Sequence, residues 1–349
     1  MKKLTTNRIY SYVLPVATAW LLGECMQSRG KQDLWMQQRP EALQVLREQA
    51  VVQSAESSNR IEGVSIAAER LRPVVLGKAR PRDRSEEELA GYRKALDWIF
   101  SRKRRVVFSP EVVLKLHAMA QGGMIGDAGQ WKSKNNEIIE MLPNNERRIR
   151  FVPTPASETP GAMGTLCSSY QRALDNDNIP TLLTIATCIF DLLCIHPFRD
   201  GNGRVSRLVT TFLLLQEEFI VCRFISLERI VEDRKEEYYD VLELCSRGWH
   251  AGKNEITPWW NFFLSVLRHA YQDLNKNVEG KVSFAPKGEM IRRVVKNQVG
   301  PFSLSEIAAQ VPGVSLGMVK KTLLEMKNEG VIKTTGRGRG ALWEAHQKS

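Results

Sequence analysis

The spacing of apolar residues divides this chain into many helical stretches and few strand-like ones. From Glu41 to Ile61, residues Leu43, Val45, Leu46, Ala50, Val51 and Ala55 recur at helical spacing and predict a helix. Residues 1–40, with Trp20, Trp35 and Pro40, read as an irregular opening. Ser85–Phe100 predicts a helix opened by a capping box of Ser85 and Glu88. Residues 109–121 predict another, capped by Ser109 and Pro110. Glu137–Leu142 and Arg147–Val152 flank Pro143, Asn144 and Asn145 and predict a hairpin. Helices over Ala162–Asn176 and Pro180–Ile195 follow, and the second is apolar nearly all round, as a buried central helix must be. After a further apolar run, Leu208–Leu215, Glu228–Cys245 predicts one helix, and Trp259–Tyr271 closes the series. Residues 274–286 are polar and read as a linker.

Beyond the linker the organisation changes. Helices are predicted over 288–298, 305–310 and Ser315–Asn328, with a Pro312-Gly313 turn before the last. Strands Val331–Thr335 and Ala341–Trp343 enclose Gly336–Gly340. That order resembles a winged helix-turn-helix. The expected fold is mainly α, in three parts: 1–105, 106–273 and 286–349.

Composition adds bounds. With 349 residues, 43% of them hydrophobic, the chain can bury a real core. Its net charge of +11 points to polyanionic partners. From Pro286 onward there are eleven Lys and Arg against five Glu, a net +6. Lys320 and Lys321 fall on the expected recognition helix, and Arg337 and Arg339 between the strands. This suits phosphate contacts to duplex DNA through 286–349, although winged helices also dock proteins.

Six cysteines without a CxxC pair read as reduced core residues, which implies a cytoplasmic protein. Lys2, Lys3 and Arg8 before the apolar run Tyr12–Gly23 imitate a signal peptide. Pro15 interrupts that run and no small-x-small site closes it, so a packed N-terminal segment is expected. No run reaches the ~20 apolar residues of a membrane span.

Candidate chemistry concentrates in one stretch, His196-Pro-Phe-Arg-Asp-Gly-Asn-Gly-Arg-Val-Ser-Arg207, between two apolar helices. Gly201, Asn202 and Gly203 can adopt backbone angles that aim their N–H groups at one point, where a helix begins. Arg204 and Arg207 are three residues apart on that helix, and two forked guanidiniums suit a di- or triphosphate. Asp200 can hold a hard cation such as Mg²⁺, and His196 can act as a general base near neutral pH.

Every fixed position of this stretch is similar to the Fic-domain signature, His-Pro-Phe-x-[Asp/Glu]-Gly-Asn-Gly-Arg-x-x-Arg. The resemblance implies a Fic helical core with a small β-hairpin flap. It implies transfer of AMP from ATP to a protein Ser, Thr or Tyr hydroxyl. His196 would deprotonate the hydroxyl. Asp200 would hold Mg²⁺ against the α- and β-phosphates, the 201–203 amides would cradle them, and Arg204 and Arg207 would take the distal ones. Ser58-Asn-Arg-Ile-Glu62-Gly63 resembles the family's inhibitory motif, in which Glu62 would pair with Arg207; it also reads as a plain helix end at Gly63.

The hairpin at 137–152 lies where the family has its flap, which docks the target by strand addition. Asn136, Glu137, Ile138 and Ile139 would then lie near the nucleotide. Gly129-Gln-Trp131-Lys132 stands where relatives have Gly-x-aromatic-Arg, with Lys replacing Arg. Tyr238 and Tyr239 match a Tyr pair near adenine in relatives, and are equally an ordinary core contact. Relatives are often dimers. Other activities stay open: removal of AMP, transfer of another phospho-group, or DNA-binding regulation in which the core senses nucleotide.

Overall fold

The computed structural model describes residues 4–345 except 39, 102–104, 123–125, 142–145, 177, 279–286, 299, 312–313 and 336–340. The expected turns at 143–145 and 312–313, the later linker residues, and Arg337 and Arg339 lie outside the described residues.

The chain opens with a short 3-10 turn, Thr5–Ser11, and a long helix α1, Val16–Gln38, where an irregular segment was expected. The apolar pattern misleads here because Val13, Val16 and Trp20 face solvent. Among the described residues the buried positions of α1 are Thr18, Cys25 and Gln32, which lie about two turns apart. Thr18 donates to Asn261 and Cys25 faces the carbonyl of Leu264. The 3-10 turn is pinned to a buried carboxylate: the backbone N–H groups of Thr5 and Thr6, the Thr6 hydroxyl and the Trp249 indole all donate to Asp191.

Helix α2 is Pro40–Ile61, α3 is Ala68–Val75 and α4 is Arg84–Phe100. The expected capping box on α4 is absent. Asp83 is the N-cap instead, and its side chain accepts from the Glu86 N–H. Glu88 is thereby free for long-range partners. Helix α5, Pro110–Gln121, precedes the hairpin of β1, Ile138–Met141, and β2, Arg147–Phe151. The strands are antiparallel, with a bulge between Ile138 and Ile139. Arg148 and Arg150 of β2 pair with Glu243, which anchors the hairpin to the helical body.

Helices α6, Thr159–Leu174, α7, Thr181–Ile195, and α8, Asn202–Gln216, form the centre. The stretch expected as one helix over 228–245 is two: α9, Leu227–Asp233, and α10, Lys235–Ser246. The break falls at Arg234, which leaves helical angles while its guanidinium grips Glu237 and Ser265. Helix α11, Thr257–Val278, continues through 274–278, the first part of the expected linker, because Leu274 and Val278 are still buried. One core draws on residues from Leu4 to Val278, hence on both 1–105 and 106–273.

A second core, from Ile291 to Trp343, lies in the C-terminal part. Its elements are α12, Lys287–Lys296, β3, Phe302–Ser303, α13, Leu304–Gln310, α14, Leu316–Asn328, β4, Ile332–Thr335, and β5, Leu342–Ala345. The sheet order is β3-β5-β4. Ser303 and Glu306 form a reciprocal capping box on α13. All six cysteines are free and buried. Among the described residues no single helix is long and apolar enough to cross a membrane.

Candidate active site

The signature residues occupy the loop from α7 to α8. His196 is the C-cap of α7 in the left-handed region (φ 51°), and its N–H still bonds to the Leu192 carbonyl. That conformation turns the ring away from the helix axis. A left-handed histidine is uncommon and costly, so the surrounding loop must over-determine it. The loop is closed by Asn202, whose side-chain amide both accepts from Phe198 N–H (2.9 Å) and donates to the Phe198 carbonyl (2.8 Å). Asn202 is thus buried as a staple, and only its backbone N–H remains for an anion. Gly201 is left-handed (φ 79°) and starts α8 with no side-chain cap, so the first-turn N–H groups stay available.

His196 Nδ1 lies 3.3 Å from the Leu193 carbonyl, an acceptor only. The neutral ring therefore carries its proton on Nδ1 and keeps a lone pair on Nε2. Burial, and secondarily the Lys132 ammonium, lower its pKa to about 4. Lys132 reaches the Ile195 carbonyl (3.3 Å) and Asn136 (2.8 Å), and Asn136 donates to the Phe198 carbonyl. Asn136 thus ties the hairpin entrance to the signature loop. Glu137 and Ile139 are exposed, and Ile138 is half-buried against β2.

The two arginines part company. Arg207 points to the end of α2. It donates to the Ser58 hydroxyl (2.9 Å), the Ser58 carbonyl (2.8 Å) and the Glu62 carboxylate (2.8 Å). The Glu62 carboxylate lies directly on Gly203, where any Cβ would overlap it. Gly203 is needed for that close approach. Glu62 therefore sits at the N-terminus of α8, where the exposed N–H groups and the helix dipole favour an anion. One nitrogen of buried Arg207, Nη1, has no hydrogen-bond partner and can still receive an oxygen.

Arg204 is buried instead, with side-chain exposure of 2%. Nη1 is 2.6 Å from Glu88, also 2% exposed, and Nη2 donates to Gln121. Its expected place on distal phosphates is occupied by protein partners. Asp200 is half-exposed at 51%. One of its oxygens accepts from Gly201 N–H (2.6 Å) and the other pairs with Arg84 (2.5 Å). A lone accessible carboxylate beside an anion seat fits Mg²⁺, which takes one or two carboxylates and completes its shell with phosphate and water.

Tyr238 is buried among Trp259 and Phe262, whereas half-buried Tyr239 donates to the Ile61 carbonyl at the end of α2. Arg84 and Gln121 gave no sign of the site, and Glu88 reads as a cap in the chain, since the partners that bring them here, Asp200 and Arg204, lie far along it. His117, which stacks on Phe198 at 3.7 Å between centroids, was equally silent.

Comparison with known proteins agrees with this geometry. Residues 107–214 match the model of the Fic/DOC family. Over 92 residues the chain is 33% identical to "Protein adenylyltransferase Fic" of Drosophila erecta, a match to 26% of this chain and 17% of that protein. The protein of the same name from Nematostella vectensis is 24% identical over 208 residues, 57% of this chain and 44% of the relative. The chain thus spans under half the length of these curated relatives. Among solved structures, a Fic family protein from Desulfovibrio desulfuricans G20 superposes with a TM-score of 0.60 at 20% identity, covering 97% of this chain and 98% of that one. Fic-1 from C. elegans superposes with a TM-score of 0.57 at 18% identity, covering 75% and 72%. The mainly helical fold is the one these proteins share, and residues 107–214 of this chain are a Fic/DOC domain.

Proposed function

We propose that the chain is a protein adenylyltransferase that uses ATP and Mg²⁺ and is held in check by its own Glu62. The observation that carries the reading is the Glu62 carboxylate lying on Gly203 and paired with Arg207, beside the loop that presents a neutral His196. A carboxylate in an anion seat keeps a phosphate from the same place.

In this reading His196 Nε2 takes the proton of a target Ser, Thr or Tyr hydroxyl. The hydroxyl oxygen attacks the α-phosphorus of ATP, the bond to the bridging oxygen breaks, and pyrophosphate leaves. Backbone N–H groups of Gly201, Asn202 and Gly203 hold phosphate oxygens, and Arg207 takes the distal phosphate once Glu62 withdraws. Arg204 supports this helix end from inside. Mg²⁺ held by Asp200 would neutralise phosphate charge. The 137–152 hairpin receives the target backbone at the open edge of β1, with 136–139 close to the nucleotide. Tyr239 is better placed than Tyr238 to line the nucleotide's side of the site.

The test uses ATP labelled at the α-phosphate and, in parallel, at the γ-phosphate, with Mg²⁺ and cell extract. Label from α-ATP on protein, stronger with Glu62→Gly and absent with His196→Ala, is expected. Label from γ-ATP would instead indicate transfer of the terminal phosphoryl group. Release of AMP from modified protein would indicate the reverse reaction. No response to either substitution would sink the reading.

A second reading concerns the C-terminal part alone. Lys320 and Lys321 are exposed on α14. The order α12-β3-α13-α14-β4-β5 supports a winged-helix arrangement that offers α14 to duplex DNA.

A further inference from the structure

Four charged side chains form one alternating ring that reaches from the surface to the interior of the site and closes where Arg204 Nη2 lies 3.8 Å from Asp200. Asp200 pairs with Arg84 (2.5 Å), Arg84 Nε with Glu88 (2.9 Å), and Glu88 with Arg204 (2.6 Å). The inner pair is fixed, with each side chain only 2% exposed. The outer pair is open, with Arg84 56% and Asp200 51% exposed. Arg84 is also the first residue of α4, immediately after the N-cap Asp83. A cation at a helix N-terminus opposes the dipole and is not placed there for the helix's benefit. Its partners Glu88 and Asp200 are what keep it.

The Asp200 carboxylate is the group that Mg²⁺ would use under the function proposed above, and this inference rests on that reading. One Asp200 oxygen accepts from Gly201 N–H and faces Arg204 at 3.8 Å, so the oxygen on Arg84 is the one left for a metal. We infer that Arg84 is a built-in competitor of the divalent cation: it occupies the metal-facing oxygen of Asp200 and must swing aside for the metal to enter. Glu88 gives it somewhere to stay. Arg84 keeps its Nε bond to the buried carboxylate while its outer nitrogen releases Asp200. Competition for a single carboxylate makes bare metal binding weak. It couples metal entry to the arrival of nucleotide phosphates, whose negative charge both attracts the metal and offers the displaced guanidinium a new partner. Arg84 is a positioning residue in this scheme and takes no part in bond making.

The experiment measures Mn²⁺ binding to the full chain by electron paramagnetic resonance of the free ion, without nucleotide and with ADP. Wild type, Arg84→Gln, Arg84→Lys, Asp200→Asn and Arg84→Gln/Asp200→Asn are compared, each checked for an unchanged melting profile. Expected is a tightening of about twofold to fivefold in Arg84→Gln without nucleotide, the factor a half-exposed ion pair is worth. Arg84→Lys should stay close to wild type, and Asp200→Asn should remove the site in both backgrounds. Unchanged or weaker Mn²⁺ binding in Arg84→Gln, with the Asp200 dependence intact, overturns the role of Arg84 and leaves the metal site standing. Mn²⁺ binding that ignores Asp200→Asn overturns the metal site and this inference with it.

Discussion

At the scale of single residues, the histidines show how burial sets chemistry. His117 accepts the Gly129 N–H at Nδ1 (2.9 Å) and faces the Asp200 carbonyl with Nε2 (3.2 Å). Its proton therefore sits on Nε2, and a second proton at Nδ1 would confront the Gly129 N–H. Burial lowers its pKa to about 4 from 6.5. The folded state then binds fewer protons than the unfolded chain between these values. Stability is full above pH 6.5 and is lost as pH falls towards 4, by up to roughly 3 kcal/mol from this group. Urea titrations across that window should show the loss, and His117→Asn should reduce it, with His196 supplying the remainder; an unchanged slope in the variant would refute the assignment. His196 has the same direction of shift, so it stays neutral, with its Nε2 lone pair free, through the physiological range. The histidine of the signature was legible as chemistry from its neighbours in the chain. His117 was not, because its long-range contacts come from Phe198, Asp200 and Gly129, which no local pattern links to it.

At the scale of elements, α2 is the one whose position decides the state of the site. Its polar face is gripped at each turn. Ser54 donates to Glu228 of α9, Arg60 pairs with Glu232, and Ser58 and Glu62 hold Arg207. Glu228 is buried and also accepts from the Tyr92 hydroxyl of α4 (2.8 Å). Removing that donor leaves a buried carboxylate oxygen poorly satisfied. Tyr92→Phe should cost about 1–3 kcal/mol in urea unfolding. Within the proposed function it should also loosen α2 and raise basal transfer, though less than Glu62→Gly does. A variant as stable as wild type would show that Glu228 does not depend on Tyr92. The serines of α2 were readable as helix residues, but a run of Ser, Asn and Arg at a helix end looks the same whether it meets water or a buried guanidinium.

At the scale of the whole molecule, two separate cores make the C-terminal part a distinct packing unit. Contacts between the parts are polar: Gln49 with Gln310, Arg72 with Gln298, and Lys78 with Glu306. These polar contacts, the largely buried Arg72–Gln298 pair apart, add little to stability, so a chain ending at Val278 should unfold cooperatively with a midpoint within a few degrees of the full chain. Under the second reading, the full chain should bind duplex DNA with a steep salt dependence, and the shortened chain and Lys320→Ala/Lys321→Ala should not. Salt-independent or undiminished binding would dispose of the DNA reading. Most of the helices, the hairpin and the C-terminal order were legible because each rests on periodicity within about a dozen residues. The helix α1 and the break at Arg234 were not, since both depend on what α11 presents to them.

The sequence by itself determined the local grammar of this protein. It placed a glycine-rich loop between two apolar helices, put His196 at the end of one and two arginines at the start of the next, and set Glu62 just past the end of α2. Those features follow from spacing and from the angles that Gly and Asn permit. Tertiary structure alone decided which arginine faces the anion seat. Arg204 and Arg207 are chemically equal, three residues apart, yet a carboxylate from α4 buries the first and a carboxylate from α2 meets the second. Tertiary structure also brought Arg84 onto Asp200, across 116 positions of chain. Pairings over such separations depend on how helices stack, and side-chain identity along a single stretch carries no record of them.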